Sequence, residues 1–95
     1  MAKIEIENVL QPGKVYRVDA DKFRAMRAAF LAAVPETGPG ATPAEILAAA
    51  KPHLPADLFP GGDKAGWWSK AVQLDLEAKG LIRRGESGPV RLSRV

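Results

Sequence analysis

The sequence contains no cysteine and only one histidine, His53. The lack of cysteine excludes a disulfide framework and a catalytic thiolate. A zinc site needs several histidine or cysteine ligands, and a single histidine cannot supply them. Ser69 and Ser87 have no credible base and orienting acid with which to form a catalytic triad. We therefore expect a protein that is not an enzyme and that uses neither a metal ion nor another cofactor.

Long apolar runs are also missing. No window approaches the length of a membrane span, and the first ten residues, MAKIEIENVL, carry acidic groups and have no signal-peptide core. These features predict a soluble, cytoplasmic protein with no membrane partner. A length of 95 residues suits a single domain covering residues 1–95.

Positive charge is concentrated in the last third of the chain. Residues 1–63 carry 7 basic and 8 acidic side chains, whereas residues 64–95 carry 7 basic and 3 acidic ones. The total net charge is +3. This asymmetry favours a polyanionic partner for the last third on electrostatic grounds.

Residues 64–79 have the periodicity of an amphipathic helix, for which Asp63 is the expected N-cap and Gly80 the expected left-handed stop. Leu81 is placed to contact Leu76 across this stop, as in a Schellman motif. Two apolar stripes lie side by side on the helix. One consists of Trp67, Ala71, Leu74 and Ala78, and the other of Trp68, Val72 and Leu76. We assign Trp67 to the core and Trp68 to its edge, beneath the loop at Phe59.

The residues after Gly80 change to the pattern of a short hairpin, with an apolar pair at Leu81 and Ile82, a turn over 85–88, and alternation over 89–92. Farther back, Asp75 and Lys79 have the i,i+4 spacing of an ion pair.

The first half of the chain predicts two strands and two helices. Strands are expected at residues 3–7 and 15–18, pairing either with each other or, for 15–18, with the C-terminal hairpin. A helix is expected over 20–34, capped by Asp19 or Asp21. A second is expected over 43–51, because Thr42, Pro43 and Glu45 form a capping-box pattern. The expected core consists of Phe23, Met26, Phe30, Ile46, Leu47, Trp67, Leu74 and Leu81.

A helix, a Gly-Leu-Ile exit and a two-stranded basic hairpin resemble the C-terminal half of a winged-helix domain, a variant of the helix-turn-helix. The whole chain also resembles a small family of uncharacterised bacterial proteins that share the wording FPGG, GWW and LDLEAKGLI, found here at 59–62, 66–68 and 74–82. The resemblance implies an α+β fold of winged-helix type with three helices and a C-terminal β-hairpin wing. The connection over 51–62 is longer than a standard helix-turn-helix turn.

Two functions remain open. In the first, the protein binds double-stranded DNA as a transcription-regulator-like module, with helix 64–79 in the major groove and wing arginines on phosphates. The residues expected at this surface are Ser69, Lys70, Gln73, Arg83, Arg84, Arg91 and Arg94. Glu77 on the same helical face opposes a long phosphate contact. In the second, the protein is a protein-interaction or homodimerisation module. Its surface would then be an exposed edge strand or the alanine-rich face formed by Ala25, Ala28, Ala29, Ala32 and Ala33.

Overall fold

The computed structural model describes residues 2–85 and 88–95. In chain order the elements are β1 (Lys3–Glu7), β2 (Val15–Asp19), α1 (Ala20–Ala33), α2 (Pro43–Ala50), α3 (Ala65–Ala78), β3 (Ile82–Arg84) and β4 (Leu92–Arg94). Two 3-10 turns, Lys51–His53 and Pro60–Gly62, lie between α2 and α3. The predicted α+β fold with three helices and a C-terminal hairpin is confirmed. Over the described ranges, no helix has the length and apolar character needed to cross a bilayer.

The two N-terminal strands form an antiparallel hairpin of their own. Ile6 lies opposite Tyr16, and Ile4 lies opposite Val18. Because cross-strand partners share a face of the sheet, these four side chains point to the same side. Ile6 and Val18 are buried on that side. The hairpin is separate from the C-terminal one, so the alternative in which residues 15–18 joined the wing is wrong.

Helices α1 and α2 begin where local signals place their N-termini. The carboxylate of Asp19 accepts a hydrogen bond from the Lys22 amide at 3.0 Å. Both bonds of the capping box are present: the Glu45 amide donates to Thr42 Oγ1 at 3.2 Å, and the Thr42 amide donates to Glu45 Oε1 at 2.8 Å. Each cap satisfies amides that the first turn of a helix leaves unpaired.

Helix α3 begins after Lys64 rather than directly after Asp63. Lys64 is the N-cap residue, has a left-handed backbone with φ 57°, and makes no side-chain capping bond. Gly61 and Gly62 also have positive φ, so the tight turn before the helix extends past Asp63 and removes it from the capping position. The predicted Asp63 cap is therefore wrong.

The predicted end of α3 is confirmed. The Leu81 amide donates to the Leu76 carbonyl at 3.0 Å, and the Gly80 amide donates to the Glu77 carbonyl at 3.1 Å. Gly80 has φ 73°. These two bonds and the left-handed residue define a Schellman motif, so the last carbonyls of α3 are satisfied.

The helical phase of α3 differs from the predicted one. Trp68 is buried, with 8% of its surface exposed, and its ring meets that of Phe59 edge-on at 6.4 Å. Trp67 is 58% exposed. Its assignment to the core is wrong because the stripe of Trp68, Val72 and Leu76 faces α1 and α2 instead. Of the other predicted core residues, Phe23, Met26, Phe30 and Ile46 are buried, Leu47 and Leu74 are half-buried, and Leu81 is exposed.

The last strand connects distant parts of the chain. β4 pairs antiparallel with β3, and Leu92 also forms a two-bond bridge with Ala41, in the segment between α1 and α2. The approach is so close that a Cβ atom on Gly40 would lie 2.7 Å from the Leu92 carbonyl oxygen, which explains the glycine there. The C-terminal hairpin is thus held against the segment that precedes α2.

Candidate interaction surface

Two of the seven predicted DNA-contacting residues are buried inside the fold. Ser69 and Gln73 are 5% and 1% exposed, respectively. The side-chain amide nitrogen of Gln73 donates to Glu77 Oε2 at 3.1 Å. Because the actual phase of α3 turns both residues inward, neither can reach the edge of a base while α3 keeps its packing. Their assignment to a groove-reading face is corrected accordingly.

Arg84 is committed to an internal ion pair. Its Nη2 lies 3.2 Å from Glu77 Oε2, and its Nε donates to Glu77 Oε1. The Glu77 side chain is only 5% exposed, and the same hydrogen bond raises the pKa of Arg84 above its ordinary value. A fork-shaped guanidinium pairs well with a carboxylate. Arg84 therefore ties β3 to α3, and Glu77 is its partner rather than an obstacle to phosphate.

Arg94 and Arg91 hold loops in place. The Nε of Arg94 donates to the Leu31 carbonyl at 3.1 Å, and its Nη1 lies 3.2 Å from Glu36. Leu31 belongs to the last turn of α1, and its carbonyl also accepts from the Val34 amide at 3.2 Å, so Arg94 adds a side-chain donor near the end of the helix. Arg91 donates to the Gly40 carbonyl at 3.3 Å and lies 3.7 Å from a Glu45 oxygen.

Lys70, Arg83 and Arg91 are the predicted contacts that are exposed, and Lys70 and Arg83 differ from Arg91 in their pairing. Both are exposed, and neither forms a salt bridge with another residue of the part of the chain described here. They lie on different elements, α3 and β3. Of the seven predicted residues, these two are therefore exposed cations without a salt bridge among the described residues.

A different feature stands out on the face of α3 that carries Trp67. A groove of about 370 Å³ separates the N-terminal hairpin from the helix. We call it the hairpin–helix groove. Trp67 and Tyr16, 58% and 39% exposed, stand at its walls. Its lining consists of Ile6, Glu7, Asn8, Tyr16, Arg17, Val18, Trp67, Lys70, Ala71 and Leu74.

The groove continues along α3. A second cavity of about 200 Å³ shares Glu7 and Asn8 with the first and reaches Lys14 and Ala78. The helix rises about 1.5 Å per residue, so the distance from Trp67 to Ala78 is roughly 16 Å. Sequence reasoning missed this surface because it depends on how the hairpin docks. The sequence did contain one signal for it, the adjacent pair Trp67 and Trp68. Adjacent residues on a helix point in different directions, so the two indoles cannot lie on the same side.

The two walls of the groove are fixed to each other by Asp75. This buried carboxylate accepts a hydrogen bond from the Glu7 amide at 2.8 Å, which links α3 to the end of β1. It also pairs with Lys79 Nζ at 2.6 and 2.7 Å, so the predicted i,i+4 pair is confirmed. One further bond, from the Val9 amide to the Leu74 carbonyl at 3.3 Å, adds to the link.

The alanine-rich face of α1 is only partly covered. Ala29 is buried, Ala25 and Ala33 are half-buried, and Ala28 and Ala32 are exposed. His53 and Pro55 border the shallow depression over this face. Among the described residues, no group of three or more histidine, aspartate or glutamate side chains is arranged to hold a metal ion.

The fold defines an α+β protein with three helices between two small antiparallel hairpins, with a groove between the first hairpin and α3. A family model described as "Family of unknown function (DUF6958)" matches residues 3–92, and the chain belongs to that family. Comparison with curated proteins and with solved structures finds no match.

Proposed function

We propose that this protein is a non-enzymatic protein-interaction module built on a winged-helix scaffold, and that the hairpin–helix groove receives a segment of the partner. The observation that carries the proposal is the exposed indole of Trp67 beside an apolar groove. Tryptophan and tyrosine at the edge of a preformed cleft are typical of residues that dominate binding energy in protein interfaces. The sequence prediction of a cytoplasmic location is part of the same proposal.

The order of elements supports the winged-helix part. After α1, residue Ala41 bridges to β4, and α2, α3, β3 and β4 follow. This succession of helix, short extended segment, two helices and a hairpin resembles the winged-helix arrangement. The N-terminal hairpin is an addition that lies against α3, where it forms one wall of the groove.

The internal pairing of the arginines favours a protein partner over a duplex. To contact phosphate, Arg84 would have to leave Glu77, whose carboxylate is almost fully buried. Leaving a buried charge without its partner costs about 3–5 kcal/mol. Each phosphate contact made by that residue would first have to offset this cost.

Selection from a random peptide library displayed on phage tests the proposal. The wild-type protein is the target, and a Trp67→Ala variant removes peptides that bind elsewhere. We expect peptides that bind the wild type and lose affinity by about 30-fold on the variant, as truncation of an interface tryptophan typically does. Failure to recover any Trp67-dependent peptide would contradict the proposal.

Double-stranded DNA is the second candidate, and the exposed Lys70 on α3 and Arg83 on β3 favour it. If both contact phosphate, a Lys70→Ala, Arg83→Ala double variant should lower the slope of log affinity against log salt by about 2. Lys51→Ala, which removes an exposed charge outside both elements, is the control. Fluorescence anisotropy with a random-sequence duplex at low salt measures the effect, and equal binding by wild type and double variant would exclude this mode.

Homodimerisation is the remaining form of the interaction hypothesis. Sedimentation equilibrium of the wild type and the Trp67→Ala variant tests it. A dimer that the substitution disrupts would make a second copy of the chain the occupant of the groove. A concentration-independent monomer would leave the groove to a different protein.

A further inference from the structure

Resting on the proposed protein-interaction function, we infer that the partner segment is acidic and amphipathic: bulky apolar side chains enter the hairpin–helix groove, and flanking carboxylates meet basic residues at its rim.

The apolar part of the argument comes from the groove floor. Ile6, Val18 and Leu74 supply aliphatic surface, and Trp67 and Tyr16 supply aromatic surface above it. A cavity of about 370 Å³ has room for more than one large side chain. A partner that presented only polar groups would bury this surface without gaining from it, so the segment needs apolar anchors.

The charged part of the argument comes from the rim. Lys70 and Arg17 line the larger cavity, and Lys14 lines its continuation. The one carboxylate among these lining residues is Glu7. Arg17 alternates with Tyr16 and Val18, so its side chain points to the opposite face of the hairpin, where Glu5 lies across from it. Without Arg17, the lining still carries two cations, Lys70 and Lys14, against the one carboxylate, which favours an acidic segment.

Lys70 is the cation best placed for this role. Helical neighbours able to pair with it lie three or four residues away. These positions hold Gly66, Trp67, Gln73 and Leu74, so none is acidic. Its ammonium therefore stands one turn from the exposed indole of Trp67 with no carboxylate from its own helix to neutralise it. An apolar anchor and an adjacent carboxylate of the partner would meet this pair together.

Single-stranded nucleic acid shares the chemistry of aromatic stacking and cation contacts. The shape of the groove argues against it. Stacking uses accessible aromatic faces. Here aliphatic residues form a floor between two walls, and a base with its phosphate would leave the space above that floor unfilled.

Sequencing of the Trp67-dependent peptides from the unbiased library tests the inference. We expect the enriched pool to have a net negative charge, with acidic residues beside leucine, phenylalanine or tryptophan. A pool that is neutral or basic would overturn the inference and leave the proposed interaction function standing. An empty pool would overturn both.

Charge reversal provides the second arm. Lys70→Glu should weaken binding of the selected acidic peptides by about five- to tenfold, as reversal of one charge at a partly exposed interface predicts. Lys51→Glu changes the net charge equally but lies outside the groove, and should change affinity by about twofold at most because salt screens distant charges. Equal effects of the two variants would overturn the rim contact. Displacement of the peptides by oligothymidylate at equal or lower concentration would assign the groove to nucleic acid instead.

Discussion

The buried carboxylate of Asp75 makes the sharpest prediction about stability. Asp75 has no exposed surface and holds both the Glu7 amide and the Lys79 ammonium. A hydrogen bond to a charged acceptor contributes about 1.5–3 kcal/mol. The Lys79 side chain is 38% exposed, so its pair adds about 0–1 kcal/mol after solvent screening. Asp75→Ala should therefore reduce the free energy of unfolding by about 2–4 kcal/mol.

The two partners should also be energetically coupled. Lys79→Met leaves the Asp75 carboxylate buried with the Glu7 amide as its remaining donor, which is more costly than loss of an exposed lysine. In an Asp75→Asn background the neutral amide needs no counter-charge. The same Lys79→Met substitution should then cost less, by a coupling energy of about 0.5–1 kcal/mol.

This double-mutant cycle comprises the wild type, Asp75→Asn, Lys79→Met and the double variant. Urea unfolding of these four proteins, followed by tryptophan fluorescence, measures it. Lys70→Met, on the same helix but without an ion-pair partner among the described residues, is the control and should change stability by about 0.5 kcal/mol or less. Additive effects of the Asp75 and Lys79 substitutions, or a cost below about 0.5 kcal/mol for Asp75→Ala, would refute the role assigned to the pair.

Three other predictions follow from single contacts. Trp68→Ala should cost about 3–5 kcal/mol in urea unfolding, whereas Trp67→Ala should cost far less; the reverse order would contradict the helical phase. Gly80→Ala should cost about 1–2 kcal/mol through left-handed backbone strain alone, since nothing lies within 4 Å of the added Cβ, and an unchanged midpoint would contradict this. The hydrogen bond from the Thr42 amide lowers the pKa of Glu45 below its ordinary value of 4.5. The resulting stabilisation should be complete above that value and be lost as pH falls through the lower folded-state pKa; thermal melts of Glu45→Gln, compared with wild type across this range, should show a smaller pH dependence.

Most features that depend on neighbouring residues could be predicted from the sequence, and the cap at Asp63 is the exception. The caps at Asp19 and Thr42 and the stop at Gly80 each require partners within a few positions, and all three are confirmed. The phase of α3 could not be obtained in the same way. Both of its apolar stripes satisfy helical periodicity, and the choice between them is made by tertiary contacts such as the edge-on packing of Trp68 against Phe59.

The burial and pairing of several predicted DNA-contacting residues could not be read from the sequence for a related reason. Gln73 and Arg84 are polar, and from the sequence alone polar residues are expected to be exposed to solvent. Their common partner Glu77 lies on α3 with Gln73, whereas Arg84 lies on β3. Only the packing of β3 against α3 brings all three side chains together. Arg94 donates to the Leu31 carbonyl, which lies 63 positions earlier in the sequence. At that separation no local pattern identifies the acceptor.

The bridge between Leu92 and Ala41 has a consequence for the order of folding. Residues 92–94 are synthesised after all three helices, yet the Arg94 amide bonds to the Pro35 carbonyl and Leu92 exchanges two bonds with Ala41. The segment between α1 and α2 therefore gains its partner strand only after residues 92–94 have been synthesised, and closing so long a loop is a slow event. We expect contacts of such large sequence separation to form after the transition state, so their loss should speed unfolding while leaving the folding rate nearly unchanged. Substitutions at Leu92 should shorten the lifetime of the native state more than they delay its formation.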